Sequence, residues 1–80
     1  MGMKKAVALR YEKGLAAPVV TAKGEGFYAE RIVSIASENN IAVVKDEKLS
    51  ESLFTLNVGD YITEEYYEIV AEILAFILEV

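Results

Sequence analysis

The predicted fold follows mainly from residues 19–44, which read VVTAKGEGFYAERIVSIASENNIAVV. Its apolar ends, residues 19–22 and 41–44, have the length and composition of strands. Between them, Phe27–Glu38 carries apolar side chains at helical spacing. The stretch predicts a strand-helix-strand unit with parallel strands and a right-handed crossover. Residues 41–44 are expected to be central because they are wholly apolar.

Glycine and asparagine residues set the limits of the predicted helix. Gly24-Glu25-Gly26 interrupts the chain before it. Asn39-Asn40 suits its C-terminal end, because Asn tolerates the left-handed backbone conformation. The face expected to point inward is formed by Tyr28, Ile32, Ile35 and Ala36.

Another strand is predicted before this unit, at residues 6–11. Its side chains on one face are Val7, Leu9 and Tyr11. Pro18 then opens the second strand or lies on an edge, since proline has no N–H to donate to a central ladder.

A short helix is predicted after residues 41–44, with Asp46 at its N-cap. Its inward side chains are Leu49, Leu53 and Leu56. Residues 57–60, Asn-Val-Gly-Asp, are typical of a turn.

The C-terminal helix is the clearest of the predicted elements. Thr63 is expected to cap it, with Glu64 and Glu65 opposing the positive end of the helix dipole. Its apolar side chains cover a wider arc than a one-sided helix needs: Tyr66, Ile69, Val70, Ile73, Leu74, Phe76, Ile77 and Val80. Part of that arc is left for another element or for docking. With the small residues of Ala16-Ala17-Pro18, it can form a shallow groove for a partner's peptide.

The element order β-β-α-β-α-α predicts an α/β fold with a small central sheet of three to four strands, at least partly parallel, flanked by about three helices. Eighty residues allow a single domain, 1–80, in which residues 1–5 are the part expected to be disordered, if any is.

Composition excludes several functions. The chain has no His and no Cys, which removes Ser-His-Asp and Cys-His catalysis and thiolate metal sites. Its formal net charge is −5, and residues 25–80 contain twelve acidic and three basic side chains. Such a chain is a poor ligand for nucleic acid. We expect no catalytic residues, no metal and no cofactor.

Three patterns have both a functional and a structural interpretation. Gly24-x-Gly26-x-x-Ala29, with Asp46 about twenty residues on, matches a dinucleotide-binding fingerprint. The bulky Phe27 and Tyr28 and the acidic Glu25 favour a tight strand-to-helix turn instead. A polar stripe on the last helix is expected to face solvent, and consists of Glu65, Glu68, Glu72 and Glu79 with Ala75. An aromatic cluster of Phe54, Tyr61, Tyr66 and Tyr67 is expected to pack around the start of that helix.

Several blocks of the sequence resemble one protein family. They are AVALRY at residues 6–11, APVVTAKG at residues 17–24, Arg31-Ile32, and AEILAF at residues 71–76. They are similar to the C-terminal cytoplasmic domain of the FlhB/YscU family of flagellar and type III secretion export-gate proteins, from Ala6 to about Ile77. The resemblance implies a small α/β domain that follows a membrane-embedded domain, receives export substrates and takes part in the switch from early to late cargo.

The sequence departs from the family at its cleavage motif. Members cut themselves at Asn-Pro-Thr-His just before the strand equivalent to residues 6–11. Here residues 1–5 are Met-Gly-Met-Lys-Lys, and the one proline follows Ala17, so no Asn-Pro bond exists in this sequence. We therefore expect no self-cleavage and no enzymatic activity, and a stand-alone paralogue of the post-cleavage half.

The resemblance implies a cytoplasmic component of bacterial flagellar or type III export, with recruitment to the membrane apparatus left open. Its expected partners are export substrates or export-gate proteins, without membrane insertion and in an undetermined oligomeric state. The matching binding positions are Ala17, Pro18, Ala71 and Leu74. The alternatives are a paralogue with an assembly role and no substrate binding, and a small nucleotide binder that uses the glycine loop.

Overall fold

The computed structural model describes residues 3–78, which form two strands, three α-helices and one 3₁₀ turn. In chain order these are β1 (Lys5–Arg10), β2 (Val19–Glu25), α1 (Phe27–Glu38), α2 (Glu47–Phe54), the 3₁₀ turn (Glu64–Tyr66) and α3 (Tyr67–Leu78). The fold is thus a small mixed α/β fold, as expected. No helix within residues 3–78 is long and apolar enough to cross a lipid bilayer. Expectations about residues 1–2, Glu79 and Val80 lie outside the described residues.

The sheet is an antiparallel pair, β1 with β2, so the prediction of three to four partly parallel strands is wrong. The register pairs Ala8 with Ala22 and Leu9 with Val20, which leaves Thr21 as the extra residue of a β-bulge. The Thr21 hydroxyl donates a hydrogen bond of 3.3 Å to the Ala8 carbonyl. The bulge adds local twist to the hairpin.

Residues 41–44 are not a central strand, because the backbone of Ile41 is hydrogen-bonded to the last turn of α1. The Ile41 N–H donates to the Ala36 carbonyl at 2.8 Å, and the Asn40 N–H donates to the Ser37 carbonyl. With Asn40 at a φ of 57°, this is a Schellman motif, in which the residue after the left-handed position packs back on the helix. Only residues 42–45 then separate Ile41 from the cap of α2, and their side chains are exposed.

The second edge of β2 is partly covered by residues 59–62. The Val20 N–H donates to the Asp60 carbonyl at 2.9 Å, and the Gly59 N–H donates to the Val20 carbonyl at 2.7 Å. Pro18 directly precedes β2, and its carbonyl accepts from the Ile62 N–H at 2.9 Å. Proline is acceptable there because this position needs an acceptor and no donor.

Helix α1 lies directly on β2 at Gly24. A Cβ on Gly24 would stand 2.8 Å from the Tyr28 Cβ, a distance that real side chains do not reach. The close approach turns Ala29, 3% exposed, toward the sheet and leaves Tyr28 70% exposed. The predicted inward face is therefore wrong at Tyr28 and Ile35, both of which are exposed, whereas Ile32 and Ala36 are partly buried.

The core forms on the other side of the sheet, from side chains of α2, α3 and the segments that connect the elements. Its buried members are Ala17, Leu53, Ile62 and Val70, and the partly buried Val7, Leu9, Leu49, Leu56, Tyr66 and Leu74 pack against them. Asp46 caps α2 as predicted, since its carboxylate accepts from the Leu49 N–H at 3.0 Å. Thr63 occupies the predicted cap position but donates its hydroxyl to Glu65 instead of accepting a backbone hydrogen bond.

Candidate functional site

A groove of about 340 Å³ lies between the chain entering β2 and one face of α3. It contains all four positions that the resemblance implied: Ala17, Pro18, Ala71 and Leu74. The remaining lining residues are Tyr11, Ala16, Tyr67 and Ala75. The structure thus brings together residues that are more than fifty positions apart in the sequence.

The loop side of the groove is held by the core and by backbone hydrogen bonds. Ala17 is 4% exposed and belongs to the core cluster, so its position is fixed by packing. Pro18 is buried, and its carbonyl is bound by the Ile62 N–H. The preceding connection turns at residues 12–15, where the Leu15 N–H donates to the Glu12 carbonyl at 3.0 Å. This wall is therefore preformed.

The helix side of the groove is a single stripe of α3. Ala71 lies four residues after Tyr67, and Leu74 and Ala75 lie three and four residues after Ala71, which places all four on one face of the helix. Leu74 also packs against the core, whereas Ala71 and Ala75 are exposed. Because alanine has a single methyl group, the two exposed positions leave space between the helix and the loop.

Two tyrosines that the sequence predicts in other places border the groove. The sequence predicts Tyr11 on one face of the first strand together with Val7 and Leu9, and Tyr67 in an aromatic cluster. Tyr11 lies just beyond the end of β1 and is 47% exposed, while Tyr67 is 43% exposed. The spacing of Tyr67 to Ala71 was a sequence signal for the second of them, since residues four apart share a helix face. Nothing local in the sequence places Tyr11 opposite α3.

The other candidate sites have structural roles. Gly24 is buried under the backbone of Tyr28, so a phosphate has no approach to it. The Asp46 carboxylate is bound to the backbone of α2. Glu65, Glu68 and Glu72 are exposed as expected, and no three acidic residues in the described part of the chain stand close enough to share a metal ion.

The predicted aromatic cluster is not assembled. Phe54 instead accepts two cations on its ring, with the Lys23 Nζ 4.9 Å and the Lys5 Nζ 5.8 Å from its centroid. Lys23 also donates to the Phe54 carbonyl at 2.9 Å. Because Lys5 lies on β1 and Lys23 on β2, this contact fastens the C-terminal end of α2 to the sheet.

A smaller hollow of about 180 Å³ lies between the sheet and α1. It is lined only by apolar side chains: Ala8, Ala22, Ile32, Ile35, Ala36 and Ile41. Ile41 reaches it because the Schellman motif folds the chain back onto α1.

Comparison with known proteins gives a consistent result. The model of the FlhB HrpN YscU SpaS family matches residues 3–77. The flagellar biosynthetic protein FlhB of Aquifex aeolicus is 43% identical over 76 residues, which are 91% of this chain and 21% of that protein. The uncharacterized protein YlqH of Bacillus subtilis is 42% identical over 76 residues, which are 94% of this chain and 82% of YlqH. The chain spans about a fifth of the length of the FlhB relatives that it matches.

Solved structures show the same fold. A crystal structure of a mutated EscU/SpaS C-terminal domain has a TM-score of 0.91 and 30% identity, and the match covers 96% of this chain and 98% of the other. The crystal structure of the PscU C-terminal domain has a TM-score of 0.86 and 32% identity, with 92% and 96% covered.

Proposed function

Because the chain belongs to the FlhB HrpN YscU SpaS family, we propose that it acts in flagellar or type III protein export by binding export substrates in the groove. The groove here means the space between residues 16–18 and α3. The chain would present this groove to export substrates, or to export-gate proteins, in place of the cytoplasmic C-terminal half of a longer family member. Binding, and no chemical step, is the proposed activity.

The observation that supports this proposal most is the joint position of Ala17, Pro18, Ala71 and Leu74 around one groove. The resemblance to the family implies the same four residues from the sequence alone. Two of them belong to or pack against the core, which fixes the floor, and Ala71 is exposed at the mouth.

The groove suits a short apolar segment of peptide. Its walls are methyl groups, a proline ring and two tyrosine rings, and tyrosine offers a hydroxyl at the rim. Burying one leucine-sized side chain is worth about 1.5–3 kcal/mol. One or two such anchors give weak, reversible binding after the cost of ordering the peptide, as transient handling of many substrates requires.

The test is a substitution at the mouth of the groove. Ala71→Asp places a carboxylate in the apolar groove without removing a core side chain. We expect this variant to stay folded and to lose at least about tenfold in affinity for N-terminal peptides of flagellar export substrates, because the carboxylate must be desolvated by the peptide. Peptide titration followed by fluorescence anisotropy measures the effect.

The matched control is Ala42→Asp, which changes another exposed alanine outside the groove. It should bind as the original chain does. Equal affinity of the Ala71→Asp variant and the original chain would refute the groove assignment. Absence of binding by the original chain would favour the assembly role.

A further inference from the structure

The groove has an acidic side along α3. Glu68 and Glu72 each stand three residues before a groove-lining residue, Ala71 and Ala75 respectively. Residues three apart are neighbours on a helix surface, so Glu68 and Glu72 lie beside the stripe of α3 that lines the groove. Both glutamates are exposed.

Neither carboxylate forms an ion pair with a cation in the part of the chain that the structure describes. The ion pairs found among residues 3–78 join Lys5 to Glu25 and to Glu51, at 3.5 and 3.7 Å. The opposite side carries charges of both signs, at Arg10 at the end of β1 and at Glu12 and Lys13 in the loop that follows, all exposed. The electrostatic character of the groove is therefore asymmetric: acidic at α3 and mixed at the loop.

We propose that the groove selects apolar peptide segments that carry Lys or Arg on the side that lies against α3. This inference rests on the proposed function, since it specifies the peptide that the groove binds. The apolar anchors supply affinity, and the two glutamates supply orientation and choice among peptides, because complementary charges act mainly on specificity and encounter.

The dimensions of the groove set the length of the segment. Tyr67 to Ala75 covers eight helical steps, or about 12 Å at 1.5 Å per residue. An extended peptide covers this distance with about four residues at 3.3 Å each. Because extended side chains alternate, two apolar anchors two positions apart enter the groove, and basic residues just outside them reach the glutamates.

The experiment compares two blocked synthetic peptides of about ten residues with the same Leu-Ser-Leu centre. One carries Lys and the other Glu at the positions flanking the leucines, and each bears a neutral dye for anisotropy titration. Since an exposed ion pair changes an equilibrium constant by up to about fivefold, the Lys peptide should bind about three- to tenfold tighter at about 50 mM salt. The preference should shrink at about 500 mM salt, where screening is strong.

The variant Glu68→Lys/Glu72→Lys should reverse the preference between the two peptides. The matched control Glu30→Lys/Glu38→Lys makes the same change of net charge at exposed positions of α1, outside the groove, and should keep the preference for Lys. Equal binding of the two peptides by the original chain overturns the acidic-side proposal and leaves the groove intact. Reversal by the control as well shows a bulk charge effect and overturns it too. If neither peptide binds, both the proposal and the proposed function fail.

Discussion

The groove and the smaller hollow under α1 are both lined by small and aliphatic side chains, but they differ in what supports them. The groove shares Ala17 with the buried core and has Leu74 packed against it. The hollow is lined by residues of the sheet, α1 and Ile41, none of which is a buried member of that core. The groove lining also includes two tyrosines, whereas the lining of the hollow is wholly aliphatic.

The support beneath a concave surface determines whether substitutions in it affect stability or binding. A groove whose floor is core keeps its shape, and the alanines at its mouth can change without loss of the fold. A hollow between a helix and a two-stranded sheet reflects incomplete packing, because so small a sheet offers little surface for α1 to cover. Substitutions around the hollow should therefore change stability, whereas substitutions at the mouth of the groove should mainly change peptide binding.

The largest effect is expected where α1 is seated beside the hollow. Gly24→Ala puts a Cβ 2.8 Å from the Tyr28 Cβ and 2.9 Å from its backbone carbon, so the helix must move. The free energy of unfolding should fall by about 2–3 kcal/mol, measured by urea denaturation. A Tyr28→Ala background should not rescue it, because the Cβ and the backbone remain. Full rescue would show that Gly24 accommodates the Tyr28 ring and not the helix backbone.

A moderate effect on stability is expected at Asp46, which caps α2 between the hollow-lining Ile41 and the core. Asp46→Ala removes the acceptor of the Leu49 N–H, and the free energy of unfolding should fall by about 1 kcal/mol. Asp46→Asn is the control, since Asn caps a helix as well as Asp does. A similar loss in both variants would mean that the charge of Asp46, and not its hydrogen bond, stabilises the start of α2.

The smallest effects on stability, and the sharpest contrast, come from adding the same side chain to both regions. Ala36→Leu fills part of the hollow, and the free energy of unfolding should rise by about 0.5–1 kcal/mol. Ala71→Leu fills the mouth of the groove, should change stability by less than about 0.5 kcal/mol, and should weaken peptide binding. Thermal unfolding and peptide titration of both variants measure the two quantities. Destabilisation by Ala36→Leu would show that the hollow cannot accept a larger side chain.

Local features were predicted from the sequence where one residue type decides them. The Asp46 cap, the end of α1 at Asn39-Asn40 and the strand opening after Pro18 each follow from local backbone and side-chain chemistry. Predictions that needed long-range pairing were less reliable. Residues 41–44 have the composition of a buried strand, yet the Schellman motif at Ile41 holds the start of that segment against α1.

The candidate groove was predicted only in part from the sequence. The sequence shows a wide apolar arc on the last helix and small residues at positions 16–18, and the family resemblance implies four lining positions. The facing of Tyr11 toward α3 and the place of Ala75 in the groove lining were not predicted. Both depend on how α3 packs across the core onto the loop, which no local pattern specifies.

The sequence alone predicts the helices, the Asp46 cap of α2, the acidic character of the chain and its family, because these depend on neighbouring residues or on recurring motifs. Only the packing of the folded chain sets the number of strands, the close contact of α1 with Gly24 and the closure of the groove. Each of these depends on contacts between residues distant in the chain, where the competition among alternative partners is settled by packing.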